Sequence, residues 1–165
     1  MAEHEEEVHI DLESDANVMR AEMTVSTSSG EEHVEGMTAT QRQALLLKEE
    51  GNELYRNEEY QLAIDKFSEG ISLDRNKALF CNRSLSHAAL GEWQASIDDA
   101  NAALELDPKY AKAHFRLVKA FMELRAHREC RQYLLRALKE CGETADFKQL
   151  EIELKKKTGM PVRPG

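Results

Sequence analysis

A chain of 165 residues, 41% apolar and 32% charged, suits one compact, helix-rich domain plus a tail. Three prolines and eight glycines are too few for a loop-rich all-β design, and no apolar run is long enough to span a bilayer. The net charge of −9 is carried by one end: residues 1–37 hold eleven acids and one base, whereas residues 38–165 hold 21 bases and 20 acids.

The remainder of the chain is therefore near neutral. That argues against a strongly basic nucleic-acid-binding face but permits a local basic patch. Cys81, Cys130 and Cys141 are odd in number and form no C-x-x-C, so they read as reduced thiols serving as small apolar residues. The acidic opening Met1-Ala2-Glu3-His4-Glu5-Glu6-Glu7 is unlike a signal or transit peptide. Together these features lead to the expectation of a cytoplasmic protein, with the nucleus also open, and without a membrane role.

Residues 1–37 are rich in Glu, Asp, Ser and Thr and contain no aromatic residue. They cannot bury enough apolar surface to offset the entropy of ordering, and a disordered acidic arm is expected. Within it, Val8-His9-Ile10-Asp11-Leu12 alternates like a strand, consistent with a solvating arm or with a strand added to a partner's sheet edge. Ser28 and Ser29 each have an acid three residues on, Glu31 and Glu32, a pattern open to acid-directed phosphorylation.

Thr40-Gln41-Arg42-Gln43 has the capping-box form and predicts a helix running to about Arg56, with Leu46 or Leu47, Leu54 and Tyr55 apolar. Asn57 suits a left-handed stop. Tyr60 to Leu73 is a second amphipathic stretch, with Leu62, Ala63, Ile64, Phe67 and Ile71 apolar. The cycle then repeats: Ala78 to Leu90 is stopped by Gly91, and Trp93 to Leu106 by Asp107-Pro108. Tyr110 to Leu124 and His127 to Cys141 make a third pair, stopped by Gly142. A last helix, Thr144 to Lys157, would turn Phe147, Leu150 and Leu154 inward. Its Lys155, Lys156 and Lys157 suit the helix dipole, with a nucleic-acid patch as the alternative.

Helix pairs recurring about every 34 residues resemble tetratricopeptide repeats. With repeats beginning at Ala44, Lys77 and Ala111, the eighth positions are Gly51, Ser84 and Val118, and the twentieth are Ala63, Ser96 and Cys130. The seventeenth are Tyr60, Trp93 and His127, and the twenty-seventh are Gly70, Ala103 and Ala137. Small residues at positions eight, twenty and twenty-seven would let paired helices approach closely. The third repeat departs from this with Val118 and Cys130, and the first has Glu58 where a glycine is usual between helices. The resemblance implies an all-α fold: three repeats (about 44–76, 77–110 and 111–142) spanning 38–142 as six antiparallel helices in a right-handed solenoid, a capping helix over 143–158, and a flexible tail over 159–165.

The first helix of each repeat would line a concave groove. Lys48 and Asn52 are four apart on the first such helix, Asn82 lies on the second, and Lys112 and Arg116 lie on the third. Asn52, Asn82 and Lys112 are separated by equal steps of 30 positions, which stacks their side chains on one wall. These five residues resemble the two-carboxylate clamp of tetratricopeptide-repeat co-chaperones. In that family the matching residues grip the C-terminal Glu-Glu-Val-Asp of the seventy- and ninety-kilodalton heat-shock chaperones.

By that resemblance, Lys48, Asn52 and Asn82 hold the terminal carboxylate, and Lys112 and Arg116 serve the aspartate side chain and nearby backbone. Phe115, one turn from Lys112 and Lys119, would meet the peptide's apolar residue or pack between repeats. Glu5-Glu6-Glu7-Val8 echoes the acidic ending, which makes the arm a candidate weak internal competitor.

No nucleophile with its base, glycine-rich phosphate loop or paired catalytic carboxylate is evident. His87 and His114 have no helical partner at metal-ligand spacing, and Ser84 and His87 lack a third catalytic partner. The expectation is a monomeric, non-enzymatic adaptor with no metal or other cofactor. A scaffold binding an internal segment of a non-chaperone partner stands as the second reading.

Overall fold

The computed structural model describes residues 36–164. The acidic arm up to residue 35 lies outside the described residues, together with the Val8–Leu12 alternation, Ser28, Ser29 and Glu5–Val8. From Ala39 onward the chain forms one compact unit. Its elements are α1 (Ala39–Arg56), α2 (Tyr60–Leu73), α3 (Lys77–Ala89), α4 (Trp93–Leu106), α5 (Ala111–Glu123), α6 (His127–Cys141) and α7 (Ala145–Thr158). No strand occurs among the described residues. The fold is an all-α solenoid of three helix pairs, α1/α2, α3/α4 and α5/α6, followed by α7.

Within each pair the helices approach through the small positions. A Cβ added to Gly51 would overlap the Phe67 ring. In the second pair the Ser84 hydroxyl donates to the Ser96 carbonyl at 2.8 Å and lies 2.9 Å from the Ser96 hydroxyl. In the third the Cys130 thiol donates to the Val118 carbonyl at 3.6 Å. The larger residues at these positions in the third pair are fully buried without breaking the pattern. Burial holds the Cys130 thiol protonated, with its pKa pushed up to about 11, so it behaves as a small apolar residue.

The core is a series of three clusters, each spanning a pair and the helix that follows. Ala44, Tyr55, Ala63, Phe67, Leu79 and Leu85 join α1 and α2 to α3. Phe80, Ile97, Ala100, Ala103 and Leu104 join α3 and α4 to Ala113, Leu117 and Ala120 of α5. Val118, Met122, Cys130, Leu134 and Ala137 join α5 and α6 to Phe147, Leu150 and Leu154 of α7. A pair thus completes its core only with the next helix, and α7 supplies that helix for the last pair.

Three local expectations give way to the structure. Thr40 lies inside the first turn of α1, one residue beyond its start, so it is not the N-cap. Leu62 is 50% exposed, although Ala63 and Ile64 of the same stretch face inward as expected, and of the alternatives Leu46 and Leu47 it is Leu47 that is buried. Residues 159–165, expected as a flexible tail, double back as far as they are described. Gly159, at φ 71°, reverses the chain, and Val162 is only 4% exposed against the third cluster. The Arg131 Nε donates to the Val162 carbonyl at 2.8 Å, and Arg163 bonds Glu151 and Glu143. The last helix is capped by Thr144, whose hydroxyl accepts from the Phe147 N–H at 3.2 Å.

The turn inside each pair is the same Schellman motif three times over. Glu59 N–H donates to Leu54 O and Glu58 N–H to Tyr55 O; Glu92 donates to His87 O and Gly91 to Ala88 O; Ala126 donates to Phe121 O and Arg125 to Met122 O. The motif needs a left-handed residue, and Glu58 (φ 63°), Gly91 (φ 73°) and Arg125 (φ 55°) supply it. Glu58 rather than Asn57 therefore makes the left-handed stop. At two of the three turns a side chain is held where glycine has no steric penalty.

Glu58→Gly and Arg125→Gly should each raise stability by up to about 1 kcal/mol, and Gly91→Ala should lower it by about as much. Urea denaturation monitored by circular dichroism measures all three. Loss of stability in both glycine variants would refute the strain assignment.

Candidate functional site

Helices α1, α3, α5 and α7 pack side by side and form one wall of the solenoid. On α1 the buried stripe Ala44, Leu47, Gly51 and Tyr55 faces the partner helices, and Lys48 and Asn52 stand half-buried next to it. On α5 the buried residues include Ala113, Leu117 and Ala120, and Lys112, Phe115 and Lys119 are half-buried. The helical period thus sets Lys48 and Asn52 on α1, and Lys112 and Lys119 on α5, beside the buried stripe, whereas Arg116 is itself buried.

Two of the candidates meet directly. The Asn82 Nδ2 donates to the Asn52 Oδ1 at 2.8 Å, joining α3 to α1. With its oxygen occupied in this way, Asn52 still has both of its amide N–H groups to offer, and Asn82 has its second. Lys48 lies one turn from Asn52 and has no carboxylate at ion-pair distance among the described residues. Lys112 and Arg116 occupy successive turns of α5, the next helix along the wall. Arg116 is more enclosed than its charge suggests, 9% exposed, with its guanidinium carbon 5.7 Å from the Phe115 ring centroid. Phe115 also packs against the third core cluster, so its contact with the fold is established. Lys119 is engaged already: its ammonium lies 3.2 Å from a carboxylate oxygen of Glu153 on α7.

The wall is held in register by polar ties that sequence inspection leaves unassigned. Arg83, beside Asn82, donates through Nε and Nη2 to Asp99 of α4 at 2.8 and 2.6 Å, and through Nη1 to the Ser68 hydroxyl of α2 at 2.9 Å. Asp99 is 5% exposed, and His87 Nε2 brings a third nitrogen, 3.8 Å from the carboxylate. This bidentate fork ties α3 to both second helices around it. The only sequence signal is an arginine and an aspartate sixteen residues apart, and that pairing becomes visible only once α3 and α4 are packed.

The junction before α5 is tied in the same manner. Lys77 donates to Asp107 at 2.6 Å and sits 4.8 Å from the Tyr110 ring centroid. The Lys77 contact and the Lys109 N–H hold the Asp107 carboxyl below the usual carboxylate range. His114, between Lys112 and Arg116 in sequence, turns into the interior, where its Nε2 bonds the Pro108 carbonyl at 2.8 Å. Burial pushes its pKa down, the Pro108 contact opposing this in part.

No group of His, Cys, Asp or Glu among the described residues could hold a metal ion. No helix among them is long and apolar enough to cross a membrane. What the wall offers is chemistry for an anion: amide N–H donors on α1 and α3 and cations on α1 and α5, in a half-buried setting.

The stacked helix pairs, their small close-approach positions and the polar wall define a tetratricopeptide-repeat solenoid. Among solved structures, the chain is similar to the first such repeat domain of Spaghetti (RPAP3) bound to the HSP90 peptide SRMEEVD, at 26% identity and a TM-score of 0.67, covering 73% of this chain and 96% of that one. It is equally similar to the Arabidopsis OM64 repeat domain, at 26% identity and a TM-score of 0.68, covering 72% and 99%. Among curated proteins it is 30% identical over 119 residues to the Homo sapiens DnaJ homolog subfamily C member 7, covering 66% of this chain and 24% of that protein. It is 37% identical over 79 residues to the small glutamine-rich tetratricopeptide repeat-containing protein 2 of Saccharomyces cerevisiae, covering 47% and 23%. The chain thus spans less than a quarter of the length of these curated relatives. No protein-family model matches it. Over most of its described length the chain is thus similar to the tetratricopeptide-repeat domains of these proteins.

Because the folded His114 pKa lies below its unfolded value, the unfolded chain takes up a proton first as pH falls. Its neutral burial therefore favours the fold near pH 7, and that contribution is lost as pH drops below the unfolded value of about 6.5 toward the lower folded value. His114→Gln keeps an N–H donor for Pro108 and should flatten the fall in stability between pH 7 and 5. Urea midpoints across that range test it, and parallel pH profiles for the two proteins would contradict it.

Proposed function

We propose that this domain is a non-enzymatic adaptor that binds the acidic C-terminus of a ninety- or seventy-kilodalton heat-shock chaperone, with Lys48, Asn52, Asn82, Lys112 and Arg116 forming a carboxylate clamp. The observation that carries this reading is the Asn82–Asn52 bond between α3 and α1. It aligns amide donors from two repeats beside Lys48, with Lys112 and Arg116 on the next wall helix. Support also comes from the similarity to a repeat domain bound to SRMEEVD.

A peptide ending in aspartate presents two carboxylates about one residue apart. Amide N–H groups donate directionally to a carboxylate, an ammonium supplies point charge, and a guanidinium adds a planar fork. Lys48, Asn52 and Asn82 serve the terminal carboxylate. Lys112 and Arg116 serve the aspartate side chain, with the Phe115 ring beneath the Arg116 guanidinium. Lys119 is the outermost cation of this set on α5, where Glu153 holds it.

A charge-assisted hydrogen bond contributes about 1.5–3 kcal/mol, less where water reaches it. Lys112→Ala should therefore weaken binding of SRMEEVD by about tenfold. Amidation of the peptide's C-terminus should weaken it at least as much. Calorimetry in low salt measures both. Equal binding of free acid and amide would remove the clamp and favour recognition of an internal segment.

A further inference from the structure

We propose that Glu153 is a built-in carboxylate that occupies Lys119 and thereby sets the groove's selectivity for acids upstream of the peptide's terminal residue. This inference rests on the clamp reading above and extends it to the far end of the same wall. Lys119 lies one turn beyond Arg116 and two beyond Lys112 on α5. It extends the row of cations toward α7. Its ammonium is 3.2 and 3.3 Å from the two Glu153 oxygens, so the contact is nearly symmetric.

Glu153 stands on the capping helix and belongs to no repeat. It has a second cation at hand, Lys157 at 3.7 Å, one turn along α7. The side chains of Lys119 and Glu153 are 24% and 27% exposed, so water and ligand both reach the pair.

A peptide glutamate approaching Lys119 meets a filled position. It must displace Glu153, which then keeps Lys157, or remain solvated and feel the Glu153 charge. Either way an upstream acid gains less than an open lysine would give it. The capping helix thus completes the last core cluster through Phe147, Leu150 and Leu154 and adjusts ligand preference through Glu153. Removing the Glu153 charge leaves Lys119 open and should reward exactly those ligands that carry upstream acids.

The test crosses two protein changes with two peptides in low-salt calorimetry. The peptides are SRMEEVD and SRMQQVD, each with a free C-terminus. Glu153→Gln should tighten SRMEEVD by about two- to fivefold and leave SRMQQVD within about twofold. Raising the salt should shrink the difference. Lys112→Ala separates the possible failures. If it weakens both peptides while Glu153→Gln changes both equally or neither, the Glu153 inference is overturned and the clamp stands. If Lys112→Ala leaves SRMEEVD binding intact, the clamp reading falls and this inference falls with it. A melting temperature for Glu153→Gln close to that of the unaltered protein assigns the affinity change to charge rather than to displacement of α7.

Discussion

The Phe67 ring fills the volume that a Cβ on Gly51 would require. This close approach recurs along the chain. Ser84 meets Ser96, and Val118 meets Cys130, each across the two helices of its pair. Such contacts fix how deeply the paired helices nest. They also fix the rotation of the first helix of each pair, because a helix turned to bury Gly51 must present Lys48 and Asn52 beside the buried stripe. The geometry of the candidate binding wall is thus a consequence of core packing, as the Asn82–Asn52 bond illustrates.

The polar ties secure the same registry from the other side. Arg83 and Asn82 are neighbours, and their side chains serve different helices: Asn82 reaches along the wall to α1, while Arg83 reaches back to α2 and α4. A buried carboxylate such as Asp99 is tolerated only when its charge and lone pairs are met, and breaking such a pair by removing one partner costs about 3–5 kcal/mol. The Lys77–Asp107 and His114–Pro108 contacts do the equivalent at the next junction, with smaller consequences because the ion pair there is more open to water. The proposed binding residues therefore share helices with the residues that hold the fold, and Arg116 is buried among them.

Much of this was legible in the sequence, for identifiable reasons. Helix limits were readable because Gly91, Pro108 and Gly142 punctuate strongly, and the pairing was readable because Ala63, Ser96, Ala103 and Ala137 recur at fixed intervals. The left-handed residues were harder: Glu58 and Arg125 carry no local preference for φ > 0, and only the threefold Schellman geometry reveals what they do. Val162 lay beyond reach because its burial depends on the surface that α6 and α7 create together. The wall residues could be placed by spacing, but the Lys119–Glu153 contact could not. It depends on how the capping helix docks, which no repeat interval specifies.

The central claim is that donors from separate repeats converge on one carboxylate. The side-chain amides of Asn52 and Asn82 report on this directly in a nitrogen–proton correlation spectrum recorded during titration with SRMEEVD. The account predicts that both amide pairs shift together and saturate with one affinity, while the backbone signals of the second helices, α2 and α4, move little. Saturation with both asparagine amides unmoved, and with shifts confined to α2 and α4, would contradict it.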